Sequence, residues 1–288
     1  MPERDVYETR PARAGEAALL RPLWQECFGD GEAFARLYEQ TMFRPDRVEL
    51  ALLGGEAAAM LTVLPAVLCR GGETFPGGCV YGVATLPAHR GGGLAAALLA
   101  AAWTRLGRTM DVLAVVPDTT DLFPYYGRTL GAKTAFFVRE TRVTAAALGE
   151  GPGLEPAPAE AADYLAVRRL ALQNRTFLDW DLEAIQFQQG ICRMEGGGLF
   201  LFPGAPGCCA AAERGEGGLL LVRELLAPEE LLAPCLGGLL AAFGCREAEV
   251  RLPAWSGERL GGRAVPFAMA AGPDFPEAEL AYLGFDFA

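Results

Sequence analysis

The sequence predicts an α/β protein with mixed sheets, arranged as two tandem copies of one fold, the second of them degenerate. Three observations carry this prediction. Apolar runs typical of strands alternate with runs at helical spacing, a Gly- and Pro-rich stretch interrupts the chain near its middle, and the order of elements before that stretch recurs after it. The 288 residues, 51% of them apolar, suffice for two cores. We predict a first domain at 1–148, a linker at 149–160 and a second domain at 161–288.

Two helices are predicted at the start of the first half, at residues 17–28 and 32–42, where apolar residues recur every three or four positions around a Gly-Asp-Gly turn. Apolar runs bounded by turn residues then predict successive strands. A glycine-rich segment leads into an Ala- and Leu-rich helix that ends near Gly107, and a strand, a short helix and a strand complete the order. The predicted strands are 48–53, 56–63, 67–69, 79–85, 112–116 and 132–139, and the short helix lies at 121–130.

The second half repeats this order in a weaker form, which indicates a structural duplication. Its predicted helices are 161–173, 181–192 and 228–243, and its predicted strands are 199–202, 208–213, 219–223, 248–252 and a last run at 280–287. The stretch before its main helix, residues 225–230, reads Leu-Leu-Ala-Pro-Glu-Glu. It lacks the arginine and the glycines that precede the matching helix of the first half, so we expect the second copy to have lost their function.

Composition excludes several classes of protein. A formal net charge of −11 and a pI near 4.8 argue against a nucleic acid partner, because phosphate neutralisation needs a basic surface. The eight cysteines include no Cys-x-x-Cys pair, as expected of reduced, buried side chains, and the one histidine, His89, lacks neighbours at the spacing of a metal site. The sequence has no signal-peptide pattern and no apolar span of ~20 residues, so we expect a cytoplasmic protein without membrane contact.

The segment with the clearest chemistry is residues 81–95, Tyr-Gly-Val-Ala-Thr-Leu-Pro-Ala-His-Arg-Gly-Gly-Gly-Leu-Ala, which runs from a strand through a tight loop into a helix. Glycines at a helix start let backbone N–H groups approach an anion, and the helix dipole favours negative charge there. We therefore predict a phosphate-binding loop. The dinucleotide pattern Gly-x-Gly-x-x-Ala also matches, with Asp111 near the offset of a ribose-binding acid. That reading is opposed by the antiparallel run before the loop and by the position of Asp111 at the start of a strand.

The loop resembles that of the GCN5-related N-acetyltransferases, whose pyrophosphate-binding pattern is Arg/Gln-x-x-Gly-x-Gly/Ala. The matching residues are Arg90-Gly-Gly-Gly93-Leu-Ala95, after a Thr-x-Pro lead-in, and the resemblance extends through Phe-Pro-Tyr-Tyr-Gly-Arg-Thr-Leu-Gly at 123–131. Two fused copies, of which only the first keeps the loop, are similar to the enhanced-intracellular-survival acetyltransferases. We expect a shortened form of that type, without the sterol-carrier-like third domain.

The resemblance implies that acetyl-CoA is the co-substrate. The strand at 81–85 is expected to separate from its parallel neighbour at 112–116, with the pantetheine arm in the gap and backbone N–H groups facing the thioester carbonyl. Arg90 would open the loop, and amides of the loop and of the first helical turn would bind the pyrophosphate. The implied cofactor-binding residues are Val83, Ala84, Thr85, Arg90, Gly91, Gly92, Gly93, Leu94, Ala95 and Ala96.

The resemblance also suggests the groups that move protons. Departure of a thiolate, with a parent pKa near ~8.5, is assisted by a phenol of pKa ~10, and Tyr126 is our choice of donor. One extra residue before the following glycine leaves the helix phase open, so Tyr125 is the alternative. In the relatives the carboxyl-terminal carboxylate takes the proton of the amine, which points to Ala288. Water relays, or the carboxylates of Asp118 and Asp121, are alternatives.

The acceptor is expected to be a primary amine on a small molecule or a peptide. An acidic cluster formed by Glu26, Asp30 and Glu32 could attract a cationic amine, although such clusters also occur at solvated helix ends. Aromatic residues at helical spacing in the same region are predicted as core first and pocket wall second; they are Trp24, Phe28, Phe34, Tyr38 and Phe43.

Two other classes of function stay open on the sequence. A non-catalytic acyl-CoA-binding or regulatory protein would keep the loop and lack a productive acceptor site. A dinucleotide-dependent oxidoreductase would use the glycine pattern to bind a dinucleotide instead of acyl-CoA. The residues do not predict the assembly state, and only the oligomerisation of the relatives suggests a homo-oligomer.

Overall fold

The computed structural model describes residues 6–149, 151, 153–272 and 280–287. The strands are β1 (Glu8–Pro11), β2 (Val48–Leu53), β3 (Glu56–Arg70), β4 (Glu73–Thr85), β5 (Val112–Val115), β6 (Lys133–Thr144), β7 (Ala157–Pro158), β8 (Phe177–Trp180), β9 (Gly198–Leu201), β10 (Cys209–Arg214), β11 (Leu220–Leu226), β12 (Glu247–Pro253) and β13 (Arg263–Ala271). The helices are α1 (Arg21–Leu23), α2 (Glu32–Thr41), α3 (Leu94–Leu106), α4 (Leu122–Leu130), α5 (Ala161–Leu172), α6 (Leu182–Met194) and α7 (Glu229–Phe243). The predicted α/β class with mixed sheets is confirmed.

The chain forms two compact units, and neither is one continuous stretch. The first contains residues 1–67, 75–134 and 268–274, and the second contains 68–74, 135–267 and 275–288. Each unit repeats the same order: helices, antiparallel strands, and then a parallel pair of strands connected by a helix. This repetition agrees with the predicted duplication.

The first unit is built on the strand order β1, β2, β3, β4, β5. The first three strands pair antiparallel, and β4 and β5 run parallel with α3 as the crossover between them. On the other edge of β5 lies the end of β13, which pairs antiparallel through residues 269–271. Helix α3 buries Leu98, Leu99 and Ala102 in the core of this unit. Each buried leucine contributes about 1.5–3 kcal/mol, so this face fixes the direction of α3 and of its first turn.

The second unit has the strand order β6, β12, β11, β10, β9, β7. Strands β11 and β12 are its parallel pair, with α7 as the crossover, and β6 lies antiparallel to β12. Alternate residues of these strands, including Leu220, Ala248 and Val143, join the leucines of α7 in one buried cluster. The opposite face of the same strands carries charged residues, because successive side chains of a strand point to opposite faces.

Several predicted elements differ in extent. The two strands predicted at 56–63 and 67–69 form the single strand β3, because the φ of Pro65 is compatible with an extended chain. The predicted helix at 17–28 consists of a 3₁₀ turn (Glu16–Leu20), α1 and a π-helical turn (Trp24–Phe28). The strand predicted at 280–287 is wrong: only the isolated bridges of Ala281 and Tyr282 are regular there, and the last long strand is β13.

The residues predicted as a linker, 149–160, include ordered backbone in the second unit. Leu154 N–H donates to the carbonyl of Pro234 in α7 at 2.9 Å. A Cβ on Gly238 would lie 1.7 Å from the Leu154 carbonyl oxygen, so glycine is required where this segment meets the helix. Strand β7, at Ala157–Pro158, pairs with β9. The division into domains at 1–148 and 161–288 stays a prediction. In the described part of the chain, no helix is long and apolar enough to cross a bilayer.

Candidate active site

Strands β4 and β5 run parallel, and their pairing stops where β5 ends. Their register joins residues 77–80 to residues 112–115, where β5 ends, whereas β4 continues to Thr85. The last five residues of β4 therefore extend past the end of β5, and a gap between the two strands for the pantetheine arm stays a prediction. Val83, Ala84 and Thr85 lie in this extension, Ala84 buried and the other two half-buried. That their amides bind a pantetheine arm stays a prediction.

Gly82 lies within β4, two residues after its pairing with β5 ends. Its φ is +60°, a conformation that favours glycine, and a Cβ there would lie 2.5 Å from Cη2 of Trp24. Backbone conformation and close approach both require glycine, so Gly82 and Trp24 together shape this end of the strand. We did not predict this pair, although a glycine inside a strand pattern is the sequence signal for such an interruption.

The loop after β4 is anchored at both ends. Leu86 N–H donates to the Ala58 carbonyl at 2.9 Å, and a 3₁₀ turn at Pro87–His89 follows. The Arg90 side chain folds back, so that its Nε donates to the carbonyl of Thr85 at 3.0 Å. His89 is a loop residue whose Nδ1 lies 3.0 Å from the hydroxyl of Tyr7, a contact that the sequence did not reveal. These bonds preorganise the loop before any ligand binds.

The three glycines bring the chain into α3 without obstructing the space in front of it. Gly91 and Gly93 have φ values of +83° and +80°, and no atom lies within 4 Å of where their Cβ atoms would be. Gly93 is the N-cap of α3 and makes no side-chain capping bond, and all three glycines are exposed. The loop therefore offers backbone and open space, which is the requirement for binding a phosphate group.

The first turn of α3 supplies the hydrogen-bond donors. The first intrahelical bond runs from Ala97 N–H to the Gly93 carbonyl at 3.0 Å. The amides of Leu94, Ala95 and Ala96 precede it and belong to the donors that a helix start leaves without intrahelical acceptors. No acidic residue lies in this turn, so nothing opposes an anion at the positive end of the helix dipole. Leu94 is buried, which fixes the turn against the core.

Tyr126 lies on α4 and is 5% exposed, within the hydrophobic cluster of the first unit. Burial raises the pKa of its phenol, and Tyr125, Cys79 and Asp118 raise it further. Cys79, which acts on this phenol, belongs to the paired part of β4. The Tyr126 phenol therefore lies near the end of the β4–β5 pairing. At neutral pH the phenol is protonated, which is the state a proton donor needs.

Tyr125 is half-buried, and burial raises its pKa as well. Its ring meets that of Tyr126 edge to face, with centroids 5.2 Å apart. The two alternatives of the sequence analysis are therefore neighbours, and the more deeply buried one is the residue we chose.

The predicted proton acceptors have different outcomes. Asp118 and Asp121 are both exposed, at the end of the loop that follows β5. Ala288 lies outside the described residues. The chain just before Ala288 belongs to the second unit. There the ring centroid of Phe287 lies 4.8 Å from that of Trp180 and 5.9 Å from that of Phe187.

The aromatic residues of the first helices form one cluster around Trp24, which is 2% exposed. Its indole contacts the rings of Phe28, Phe34, Tyr38 and Tyr81, with centroids 4.9–5.6 Å apart. Phe28 differs from the others in the cluster, because 47% of it is exposed. The prediction of core residues thus holds for Trp24, Phe34 and Tyr38, while Phe43 is half-buried.

The helices that carry this cluster lie against the extended end of β4. Cys27 Sγ donates to the carbonyl of Thr85 at 3.4 Å. Glu26 is exposed, and burial raises the pKa of Asp30. Glu32 is bound instead by Arg36, whose guanidinium lies 2.6 Å from it and lowers the pKa of the carboxyl. Of the three predicted acidic residues, Glu32 already has a cationic partner.

The second unit has no equivalent glycine loop at the start of α7. Glu229 and Glu230 occupy the first helical turn, where negative charge repels a phosphate. The Glu229 carboxylate also accepts hydrogen bonds from the amides of Gly257 and Arg259, at 2.8 and 3.2 Å. The expected loss of the phosphate site from the second copy is consistent with this geometry.

In the second unit, the chain's own C-terminal segment lies where β11 passes beyond its register with β12. That register ends at Val222, and Glu224 follows on β11. A Cβ on Gly284 would lie 2.5 Å from Glu224 Oε1 and 2.7 Å from Arg168 Nη2, so the segment rests directly on a buried ion pair. The C-terminal segment thus covers the part of β11 around Glu224.

Comparison with known proteins agrees with the geometry. Residues 8–129 match the family described as the acetyltransferase (GNAT) domain, a range that includes the whole glycine loop and Tyr126. No curated protein matches the sequence.

Solved structures share the fold over most of the chain. The GCN5-related N-acetyltransferase from Kribbella flavida is 20% identical with a TM-score of 0.69, covering 92% of this chain and 71% of that one. The GCN5-related N-acetyltransferase from Anabaena variabilis is 16% identical (TM-score 0.71; 92% and 72% covered), and Eis1 from Mycobacterium abscessus is 14% identical (TM-score 0.64; 93% and 73% covered). At these identities the likeness establishes the fold alone. Residues 8–129 therefore match the GNAT acetyltransferase domain, and the chain shares the fold of these solved N-acetyltransferase structures.

Proposed function

We propose that the first unit transfers the acetyl group of acetyl-CoA to a primary amine by direct attack of the amine, with both substrates bound at once. The observation that carries this proposal is the combination of an exposed glycine loop at the start of α3 with an end of β4 that extends past its pairing with β5. The loop suits a pyrophosphate. The unpaired end of β4 suits an extended pantetheine arm, which leads from the pyrophosphate to the thioester carbon.

The residues around the loop fit this co-substrate. The amides of Leu94, Ala95 and Ala96 would bind the pyrophosphate at the helix start, and Gly91–Gly93 leave it room. Acetyl-CoA, when bound, supplies an activated acyl group as a thioester. Backbone amides of Val83 to Thr85 would orient the acyl carbonyl and stabilise the negative charge that develops on its oxygen.

We assign Tyr126 the role of proton donor to the departing thiolate. Burial keeps its phenol protonated at neutral pH, and Cys79 among its neighbours ties it to β4 near the end of the β4–β5 pairing. A buried donor also works in a low-dielectric setting, where a hydrogen bond to developing negative charge is stronger than in water. Tyr125, which is half-buried, is the control residue for this assignment.

We propose that the carboxylate of Asp118 or Asp121, or a water relay, takes the proton from the amine. The two aspartates are exposed and lie in the loop between β5 and α4. Exposed carboxylates can pass a proton through water to the solvent, so either of them can serve.

A cationic amine is the acceptor that the charges favour. The chain carries 36 acidic and 25 basic residues, so its field attracts cations. Beside the extended end of β4, Glu26 and Asp30 are acidic groups on the segment that also carries the exposed ring of Phe28. We propose that a small-molecule or peptide amine approaches along this segment.

The direct test is release of CoA thiol from acetyl-CoA with a panel of polyamines, aminoglycosides and lysine peptides. We expect turnover with at least one amine, and acetylated product by mass spectrometry. Tyr126→Phe should slow turnover ~10²-fold or more with unchanged CoA affinity, whereas Tyr125→Phe should have little effect. Tight CoA binding without turnover on any acceptor would favour a non-catalytic acyl-CoA-binding protein instead. Equal rates for Tyr126→Phe and the wild type would remove Tyr126 from the mechanism.

A further inference from the structure

The second unit contains a cavity of about 420 Å³ on the charged face of its sheet, the face opposite α7. Cavities of this size accommodate small metabolites. The charged residues that line it come from β6, β11, β12 and the start of β13: Glu140, Arg142, Arg223, Glu249, Arg251 and Arg263. The acyl-transfer site described above uses none of them.

Arginines outnumber carboxylates among the residues that line this cavity, although the protein as a whole is strongly acidic. Four guanidinium groups face two carboxylates in the lining. Three of the arginines already have carboxylate partners: Arg142 bonds Glu247 and Arg223 bonds Glu213, both at 2.6 Å, and Arg251 bonds Asp286 at 2.9 Å. Arg263 has no ion-pair partner within the described ranges, so it is the charge that a ligand can neutralise.

Arg251 contributes a second donor at this cavity. Its Nη2 binds Asp286, but its Nη1 is buried and has no hydrogen-bond acceptor in the part of the chain that the structure describes. The guanidinium also lies over the ring of Phe267, with its carbon 4.5 Å from the ring centroid, which holds it in place. Leaving a buried donor without an acceptor is costly, and a ligand oxygen that reached it would remove that cost.

The turn that leads into β13 is fixed, so Arg263 starts from a defined position. Gly262 has a φ of +77°, and a Cβ on it would lie 2.2 Å from the carbonyl oxygen of Glu140. The hydroxyl of Thr141 donates to the carbonyl of Leu260 at 3.1 Å. These contacts attach the turn to β6 at the edge of the cavity, so little ordering of the backbone is needed on binding.

We infer that this cavity is a second ligand site, which binds a small organic oxyanion, a carboxylate or a phosphate monoester, through Arg263 and Arg251. A guanidinium matches the paired oxygens of either group. Glu140, on the same wall, would accept a hydrogen bond from a hydroxyl or ammonium group elsewhere on the ligand, whereas Glu249 already accepts one from Arg142 at 3.2 Å. The inference does not rest on the acetyltransferase activity, because it uses residues of the second unit alone.

The test is calorimetric titration of the full chain with sodium malonate and, separately, with glycerol 3-phosphate, at low ionic strength. Binding of either probe is expected, and the one that binds more tightly identifies the oxyanion class. Arg263→Gln should weaken that binding about 10-fold, and Arg263→Lys should weaken it less, because the charge is kept and the paired donors are lost. The control is Arg259→Gln, an exposed arginine of the preceding turn that is not in the lining, and it should bind as the wild type does.

The inference is overturned if neither probe binds, or if Arg263→Gln and Arg259→Gln behave alike. Each titration is repeated on Gly93→Ala, in which the loop before α3 is altered. Loss of probe binding there would assign the probe to that loop and would also overturn the inference. Failure to bind malonate and glycerol 3-phosphate leaves the acetyl-CoA titration unaffected, so the two proposals fail independently.

Discussion

Gly93→Ala is the most direct test of the loop at the start of α3. The added methyl group meets no protein atom within 4 Å, so it causes no clash inside the molecule. It does force a residue with a Cβ into a φ of +80°, which costs about 1–2 kcal/mol of unfolding free energy. It also points into the open space that we assign to the pyrophosphate.

The chain offers a matched control for this change. Gly15 has a φ of +86° and ψ of −3°, against +80° and +13° for Gly93, and it too begins a helical turn, is exposed and has nothing within 4 Å of its Cβ position. Gly15→Ala should therefore cost the same stability in a urea titration. Only Gly93→Ala is expected to change ligand binding.

The expected loss of affinity follows from the hydrogen bonds at the helix start. Displacing the pyrophosphate enough to break one bond from an amide to a charged oxygen costs about 1.5–3 kcal/mol, or roughly 10- to 100-fold in the dissociation constant of CoA. Isothermal titration with CoA measures it. The reasoning is refuted if Gly93→Ala binds CoA like the wild type, or if Gly15→Ala loses as much affinity.

Three further predictions concern stability, each measured by urea titration. Gly82→Ala should cost about 2–4 kcal/mol, because the Cβ meets the Trp24 ring at a positive φ; a loss below ~1 kcal/mol would contradict the close approach. Glu224→Gln leaves a buried guanidinium without its counter-ion and should cost about 3–5 kcal/mol, whereas an unchanged midpoint would argue against the ion pair. Hydrogen bonds from Arg10 lower the pKa of Glu16 from 4.5 to about 2. This carboxylate therefore contributes stability that is complete above pH 4.5 and lost as the pH falls towards 2, so Glu16→Gln should flatten the stability curve in that window, and an equal slope would count against the pair.

Each unit has a parallel strand pair connected by a helix, but the residues around that pair differ. In the first, the end of the pairing lies beside a helix start with glycines and no acidic residue. In the second, the helix start carries Glu229 and Glu230, and the C-terminal segment rests against Glu224. The difference between the proposed acyl-CoA site and the matching position of the second unit therefore lies in a few residues at a helix start.

Local sequence patterns predicted most helices and strands and the loop of the candidate site. Helix α7 was predicted at 228–243 and extends over Glu229–Phe243, and the glycines before α3 lie where their pattern indicated. Such features depend on residues within one or two turns of each other. The cluster around Trp24 was predicted only in outline, because its contacts with Tyr81 and Gly82 join residues far apart in the chain.

The exchange of strands could not be predicted. Strand β6 follows α4 directly, yet its residues from 135 onwards belong to the second unit, while the end of β13 belongs to the first and pairs with β5. An alternating apolar pattern predicts a strand but does not predict which strand pairs with it. The backbone hydrogen bonds that join two strands are the same for every sequence.

By itself, the sequence determined that this protein has two copies of an α/β fold, and that only the first has a helix start suited to phosphate. Those properties depend on glycine's backbone freedom and on the periodicity of apolar side chains, which are local. The tertiary structure alone decided which strands border β5 and β12, that Gly82 must accommodate Trp24, and that four arginines from four strands line one cavity. These outcomes depend on packing between segments distant in the chain. The stabilisation comes from the interaction of two segments, so neither segment's own sequence predicts it.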